Sequence, residues 1–83
     1  MMTQTIGRKL RQFRQKKGYS QETLADRAGL HPTYIGQVER GEKNITVETL
    51  AKITTALGIP ISSVFDDVLS NPMPSAENYP LRA

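Results

Sequence analysis

Residues 21–40 read QETLADRAGLHPTYIGQVER, and their spacing sets the reading of the whole chain. Ser20, just before this stretch, suits a helix N-cap, and the helix it opens runs from Gln21 to about Ala28 with Leu24 and Ala28 facing inward. Gly29 follows where a left-handed residue is wanted to close the helix. Pro32 then opens a second helix at its first position, where a missing N–H costs nothing. Ala25 sits where the two helices would cross, and a small side chain there lets their axes approach. Leu24, Ala28, Leu30, Ile35 and Val38 point into one wedge. Thr33, Gln37 and Arg40 are left on the outer face, with Gly36 beside them. The pattern is helix, sharp turn, helix.

Working outward, residues 5–17 place Ile6, Leu10 and Phe13 on one helical stripe, and Gly18 stops it. Gly41 closes the helix begun at Pro32, and a polar loop, Glu42-Lys43-Asn44, leads to Thr46 as the next N-cap. The fourth helix, 47–57, carries Leu50, Ile53 and Leu57 on one face. Gly58 ends it and Pro60 prevents its continuation. Ser62 or Ser63 is expected to cap a fifth short helix carrying Val64, Phe65 and Val68. After Leu69 the sequence SNPMPSAENYPLRA holds three of the five prolines. The expectation is an all-α, five-helix domain over 1–69 and a mobile, proline-containing tail over 70–83.

At 83 residues the chain has room for one small core. It has no cysteine, which excludes disulfides and thiolate metal sites. No apolar run approaches membrane-spanning length and no secretory signal opens the sequence, so a cytoplasmic protein without a membrane partner is expected. His31, the one histidine, stands without clustered carboxylates, so no metal site is expected. Neither a nucleophile–base pair nor a phosphate loop is present, so the chain does not read as an enzyme. No cofactor or small-molecule ligand is evident. The net charge is +3, and from Thr5 to Gly18 there are six cations and no acid. A charge run alone is most often a solvated helix face; a polyanionic partner needs a second signal.

That signal is the helix-turn-helix layout of residues 21–40, whose second helix would offer its N-terminal half to the DNA major groove. Four segments carry a closer resemblance: S-Q-E-x-L-A at 20–25, the A-G turn at 28–29, T-Y-I-x-x-V-E-R-G at 33–41 and A-L-G-I-P at 56–60. With them the chain resembles the lambda-repressor-like, XRE-type helix-turn-helix family over about residues 5–68. Within it, the chain most resembles the small controller proteins of restriction–modification systems, five-helix dimers that bind operators upstream of their own genes. The resemblance implies a transcriptional regulator that binds a palindromic double-stranded DNA operator as a homodimer. A helical adaptor or antitoxin, whose main partner is another protein, is the rival reading, and only the proline-rich tail points to it.

The resemblance also assigns roles. Gln21 falls where relatives bond a backbone phosphate from the start of the second helix. Thr33 and Gln37, one turn apart, are placed to read base edges. Glutamine can pair with adenine N6/N7, and threonine can bond an edge or touch a thymine methyl. Tyr34 can direct its hydroxyl to a phosphate or base edge, or pack its ring inward. Lys43 and Asn44 lie where relatives set a basic residue and an asparagine over the DNA backbone, and Thr46 offers the N–H groups of the fourth helix. Arg40 either touches phosphate or complements its helix dipole, and His31 is an N-cap or a phosphate neighbour. Arg14 and Glu39 are expected to form a structural ion pair joining the first and third helices. Pro32 replaces the long polar side chain common in relatives, and Gly36 would let the helix backbone lie closer to DNA. For the dimer interface the candidates are Ile61, Val64 and Val68, with Phe65 in the core.

Overall fold

Four helix-ending glycines set the architecture. In a computed structural model, which describes residues 2–65, α1 spans Met2–Lys17, α2 Gln21–Ala28, α3 Pro32–Glu39 and α4 Val47–Leu57, and a 3₁₀ turn covers Ile61–Phe65. Among the described residues there is no strand. The expected domain end at 69, Val68 and the tail over 70–83 lie outside the described residues.

Each α-helix closes with the same pair of backbone bonds, a glycine N–H to the carbonyl three residues back and the next N–H to the carbonyl five back. At the α2–α3 turn, Gly29 sits at φ 71°, Gly29 N–H reaches Asp26 O at 3.3 Å and Leu30 N–H reaches Ala25 O at 2.8 Å. The left-handed conformation is what aims the chain back across α2, and a Cβ would oppose it. The helix starts are equally explicit. Ser20 Oγ accepts from Thr23 N–H at 3.0 Å and Thr46 Oγ1 from Thr49 N–H at 3.1 Å. His31, the residue before Pro32, is an N-cap: its Nδ1 accepts from Thr33 N–H at 3.2 Å.

The core is one cluster drawn from every element. Leu10 of α1, Leu24 of α2, Ile35 of α3, Ile53 and Leu57 of α4, and Val64 of the 3₁₀ turn are its fully buried large side chains. Ala25 is completely buried where α2 meets the cluster, the small side chain that close crossing requires. The helix α1 packs against both α3 and α4, and α2 bridges the same two elements.

Three expectations at the C-terminal end need correction. The last turn starts at Ile61, directly after Pro60 and before either serine, with Ser63 N–H bonded to Pro60 O at 3.0 Å. Its three-residue period stacks Val64 over Ile61, and this column faces α1 and α4. Val64, expected at a dimer interface, is therefore 0% exposed in the monomer's own core. Phe65, expected in the core, packs on its edge and stays partly exposed, as does Ile61.

Gly7 is a close-approach position that the helical stripe did not reveal. A Cβ built there would lie 2.2 Å from Val38 O and 2.8 Å from Glu39 O. The backbones of α1 and α3 touch at this point, and Val38 O is already held by the N–H of Gly41 at 3.0 Å. Gly7→Ala would gain about 1 kcal/mol of helix propensity on an open surface. Here it is expected to lower stability by ~1–3 kcal/mol through overpacking, measured as a reduced urea midpoint at unchanged m-value. A stabilised variant would show that the two helices are not held at this distance.

Candidate nucleic-acid interface

The outer face of α3 is held in place from beneath by a buried polar network. Arg14 Nε donates to Glu39 Oε2 at 2.6 Å and Arg14 Nη2 to Glu39 Oε1 at 3.1 Å, the bidentate geometry natural to a guanidinium and a carboxylate. Arg14 Nη1 donates to Tyr19 O at 2.8 Å, tying in the α1–α2 turn. Gln21 Nε2, at the start of α2, donates to Glu39 Oε1 at 3.0 Å. The side chains of Arg14 and Glu39 are 11% and 4% exposed. Glu39 lies in the last turn of α3, where the helix dipole disfavours an acid. The guanidinium supplies the opposing charge, so one ion pair fixes α1, α2 and α3 together.

The expected site residues differ in exposure. Thr33 is exposed on α3 and Gln37, one turn on, is half-buried. Lys43, Asn44 and Thr46 are exposed in the loop before α4 and at its cap. Gln21 commits one amide N–H to Glu39, and its amide group lies beside Gly36 of α3. His31 is exposed and spends Nδ1 on its own cap, leaving Nε2 as the outward group. Tyr34 is half-buried, with its ring against the core.

Gly36 has a different role from the one expected. It is buried, and a Cβ there would lie 3.2 Å from Arg40 Nη1 and 3.5 Å from Gln21 Oε1. The space it leaves holds these two side chains and does not bring the α3 backbone to the surface. Arg40 caps the end of α3 and forms an exposed pair with Glu42, Nε to Oε2 at 2.8 Å and Nη2 to Oε1 at 3.2 Å. The hydrogen bond from Arg40 holds the Glu42 carboxyl below the usual carboxylate range, and the hydrogen bond to Glu42 raises the Arg40 guanidinium further. A lowered carboxyl contributes its stabilisation above the ordinary carboxylate range and loses it as pH falls through the lowered value. The pair is thus constant across neutral pH.

Among the described residues no group of three or more His, Cys, Asp or Glu could hold a metal ion, and no helix is long and apolar enough to cross a membrane.

The sequence profile of the helix-turn-helix family matches residues 10–64, which include the network and the whole outer face. The chain belongs to the helix-turn-helix family. Its helix-turn-helix segment has relatives among restriction–modification control proteins. Control protein C.BamHI of Bacillus amyloliquefaciens is 43% identical over 62 residues, 74% of this chain and 76% of its own length. The crystal structure of the restriction–modification controller protein C.AhdI from Aeromonas hydrophila is 43% identical, with a TM-score of 0.75 over 76% of this chain and 96% of that one. The biofilm master regulator SinR, crystallised in complex with DNA, is 32% identical with a TM-score of 0.70 over 74% of this chain and 98% of that one.

Because the Arg14–Glu39 pair is buried, Glu39→Ala leaves a guanidinium without its counter-charge and is expected to cost ~3–5 kcal/mol in chemical denaturation. An Arg14→Met, Glu39→Leu double variant is expected to recover most of that loss, since it leaves no buried charge. A single-variant cost under ~1 kcal/mol would show that the pair does not anchor the three helices.

Proposed function

We propose that the protein is a sequence-specific, double-stranded DNA-binding transcriptional regulator that acts as a homodimer on a palindromic operator, with α3 in the major groove. The observation that carries this reading is the locked outer face of α3. Thr33 and Gln37 stand on a helix whose roll is fixed from below by Glu39, between the free N-terminus of α2 and the Lys43-Asn44 loop. In this reading Thr33 and Gln37 meet base edges, and Gln21, His31, Lys43, Asn44 and the Thr46-capped start of α4 meet phosphates. Tyr34 contributes its hydroxyl from a ring seated on the core. Restriction–modification control is the specific role that C.BamHI and C.AhdI favour.

A homodimer follows from reach. One α3 contacts only a few base pairs, and two of them ~34 Å apart span successive turns of one DNA face. With Val64 withdrawn into the core, Ile61 and Phe65 carry the partly exposed apolar surface at the C-terminal end and are the described residues best placed to meet a second copy. The adaptor reading rests on residues 70–83, which lie outside the described residues, and the control-protein relatives do not favour it.

A Thr33→Ala, Gln37→Ala double variant is expected to lose discrimination between the operator and random duplex while keeping salt-sensitive non-specific binding. Lys43→Ala is expected to weaken all duplexes alike and flatten the salt dependence by about one unit of slope per protomer. Retained discrimination in the double variant would refute the base-reading assignment.

Arg40 gives a separate test. Its guanidinium fork is occupied by Glu42, so Glu42→Gln removes a competitor for phosphate and a repelling charge. Affinity for operator and random DNA is expected to rise together in fluorescence-anisotropy titrations. Unchanged affinity would exclude Arg40 as a phosphate contact.

A further inference from the structure

The acid-free run on α1 is only partly explained by the fold. Arg14 is buried in the network, and Lys16 lies 5.9 Å over the Phe13 ring. Arg8 and Arg11 are exposed and, among the described residues, neither forms an ion pair. With Gln4 they follow i, i+4, i+7 spacing along one side of α1. That side and the end of α3 line a single open groove, whose walls are Gln4, Arg8, Arg11, Glu39 and Arg40. The one acid in the groove is already neutralised by Arg14, and Arg40 is paired with the exposed Glu42, so Arg8 and Arg11 are the two groove guanidiniums that no described carboxylate neutralises.

We propose that Arg8 and Arg11, together with Arg40, form a second phosphate-binding surface that grips the sugar–phosphate backbone flanking the bases met by α3. The inference rests on the DNA-reading function proposed above. Continuity selects DNA over an acidic protein. The Arg40 Nη1 lies beside Gly36, at the same point approached by Gln21 from the N-terminus of α2. The arginine groove therefore runs directly into the phosphate-facing end of α2, on the rim of the α3 face. A duplex docked on α3 presents a row of anionic oxygens along that rim, and guanidinium forks match phosphate oxygens in pairs. Arg40 exchanges its exposed carboxylate partner for a phosphate on docking.

The test is an Arg8→Gln, Arg11→Gln double variant of the full chain, titrated with operator and random duplex between about 50 and 200 mM salt. Both side chains are exposed, so the fold is expected to survive, and a matching thermal midpoint checks it. Affinity is expected to fall for both duplexes with the operator-to-random ratio kept, and the log–log salt slope to flatten by ~0.9 per lost contact. Arg8→Lys, Arg11→Lys is expected to restore the slope. Hydroxyl-radical footprints are expected to lose protection only on the backbone flanking the α3 bases. If slope and footprint match the wild type while the Thr33→Ala, Gln37→Ala variant loses discrimination, the α1 surface is refuted and the DNA reading stands. A wild-type protein that binds no duplex overturns both.

Discussion

The contact on which the rest of the structure depends is the bidentate pair between Arg14 and Glu39. A helix of eight residues has too few turns to hold its orientation through propensity alone. The helix α3 is therefore fixed by what lies under it: Ile35 and Val38 in the core, and Glu39 bonded to both α1 and α2. Because Gln21 shares the same carboxylate oxygen as Arg14, the first residue of α2 and the last turn of α3 cannot rotate independently. A buried ion pair is weak evidence for stability as such, since apolar residues of similar volume often do as well. Its value here is positional, in holding two outward side chains at a defined angle to the start of α2.

Close backbone approach does the remaining positioning, and two glycines permit it for different reasons. Gly7 lets α1 lie against the carbonyls that end α3, bringing Arg14, two turns along, to the level of Glu39 and Tyr19. Gly36 opens a hollow in α3 that is filled by the neighbouring Gln21 and Arg40 side chains. A DNA reader with proline and glycine on its reading helix gives up two side chains able to touch bases. The structure uses both positions for itself: Pro32 starts the helix and Gly36 seats the groups that surround it.

Local chemistry made most of the fold legible. Glycine after each helix and Ser20 and Thr46 before two of them set boundaries that short-range hydrogen bonds enforce, so the helix-turn-helix could be read from residues 18–60 alone. What was not legible depended on register or on distant partners. Ile61, Val64 and Phe65 could be assigned sides only once it was known that the turn begins at Ile61, directly after Pro60, and winds with a three-residue period. Gly36 looked outward by periodicity, but its burial comes from side chains 4 and 15 residues away, Arg40 and Gln21. Gly7, beside Ile6 on α1, gave no signal of its role, because what approaches it are the Val38 and Glu39 carbonyls more than thirty residues away. Of the outer face, the exposure of Thr33 followed from spacing and that of Lys43 and Thr46 from the polar loop and its N-cap, whereas the Gln21–Glu39 bond and the Arg40–Glu42 pair required coordinates.

A rigid reading face, a positively charged rim and a paired assembly together make the proposed reader, in which two copies of α3 read two related half-sites. Selection of bound duplexes from a random-sequence library by the purified full chain tests it most directly. The predicted result is an enriched palindrome with half-site centres one helical turn apart, about 10 base pairs. Recovery of no common sequence, or of a motif without dyad symmetry, would contradict the account.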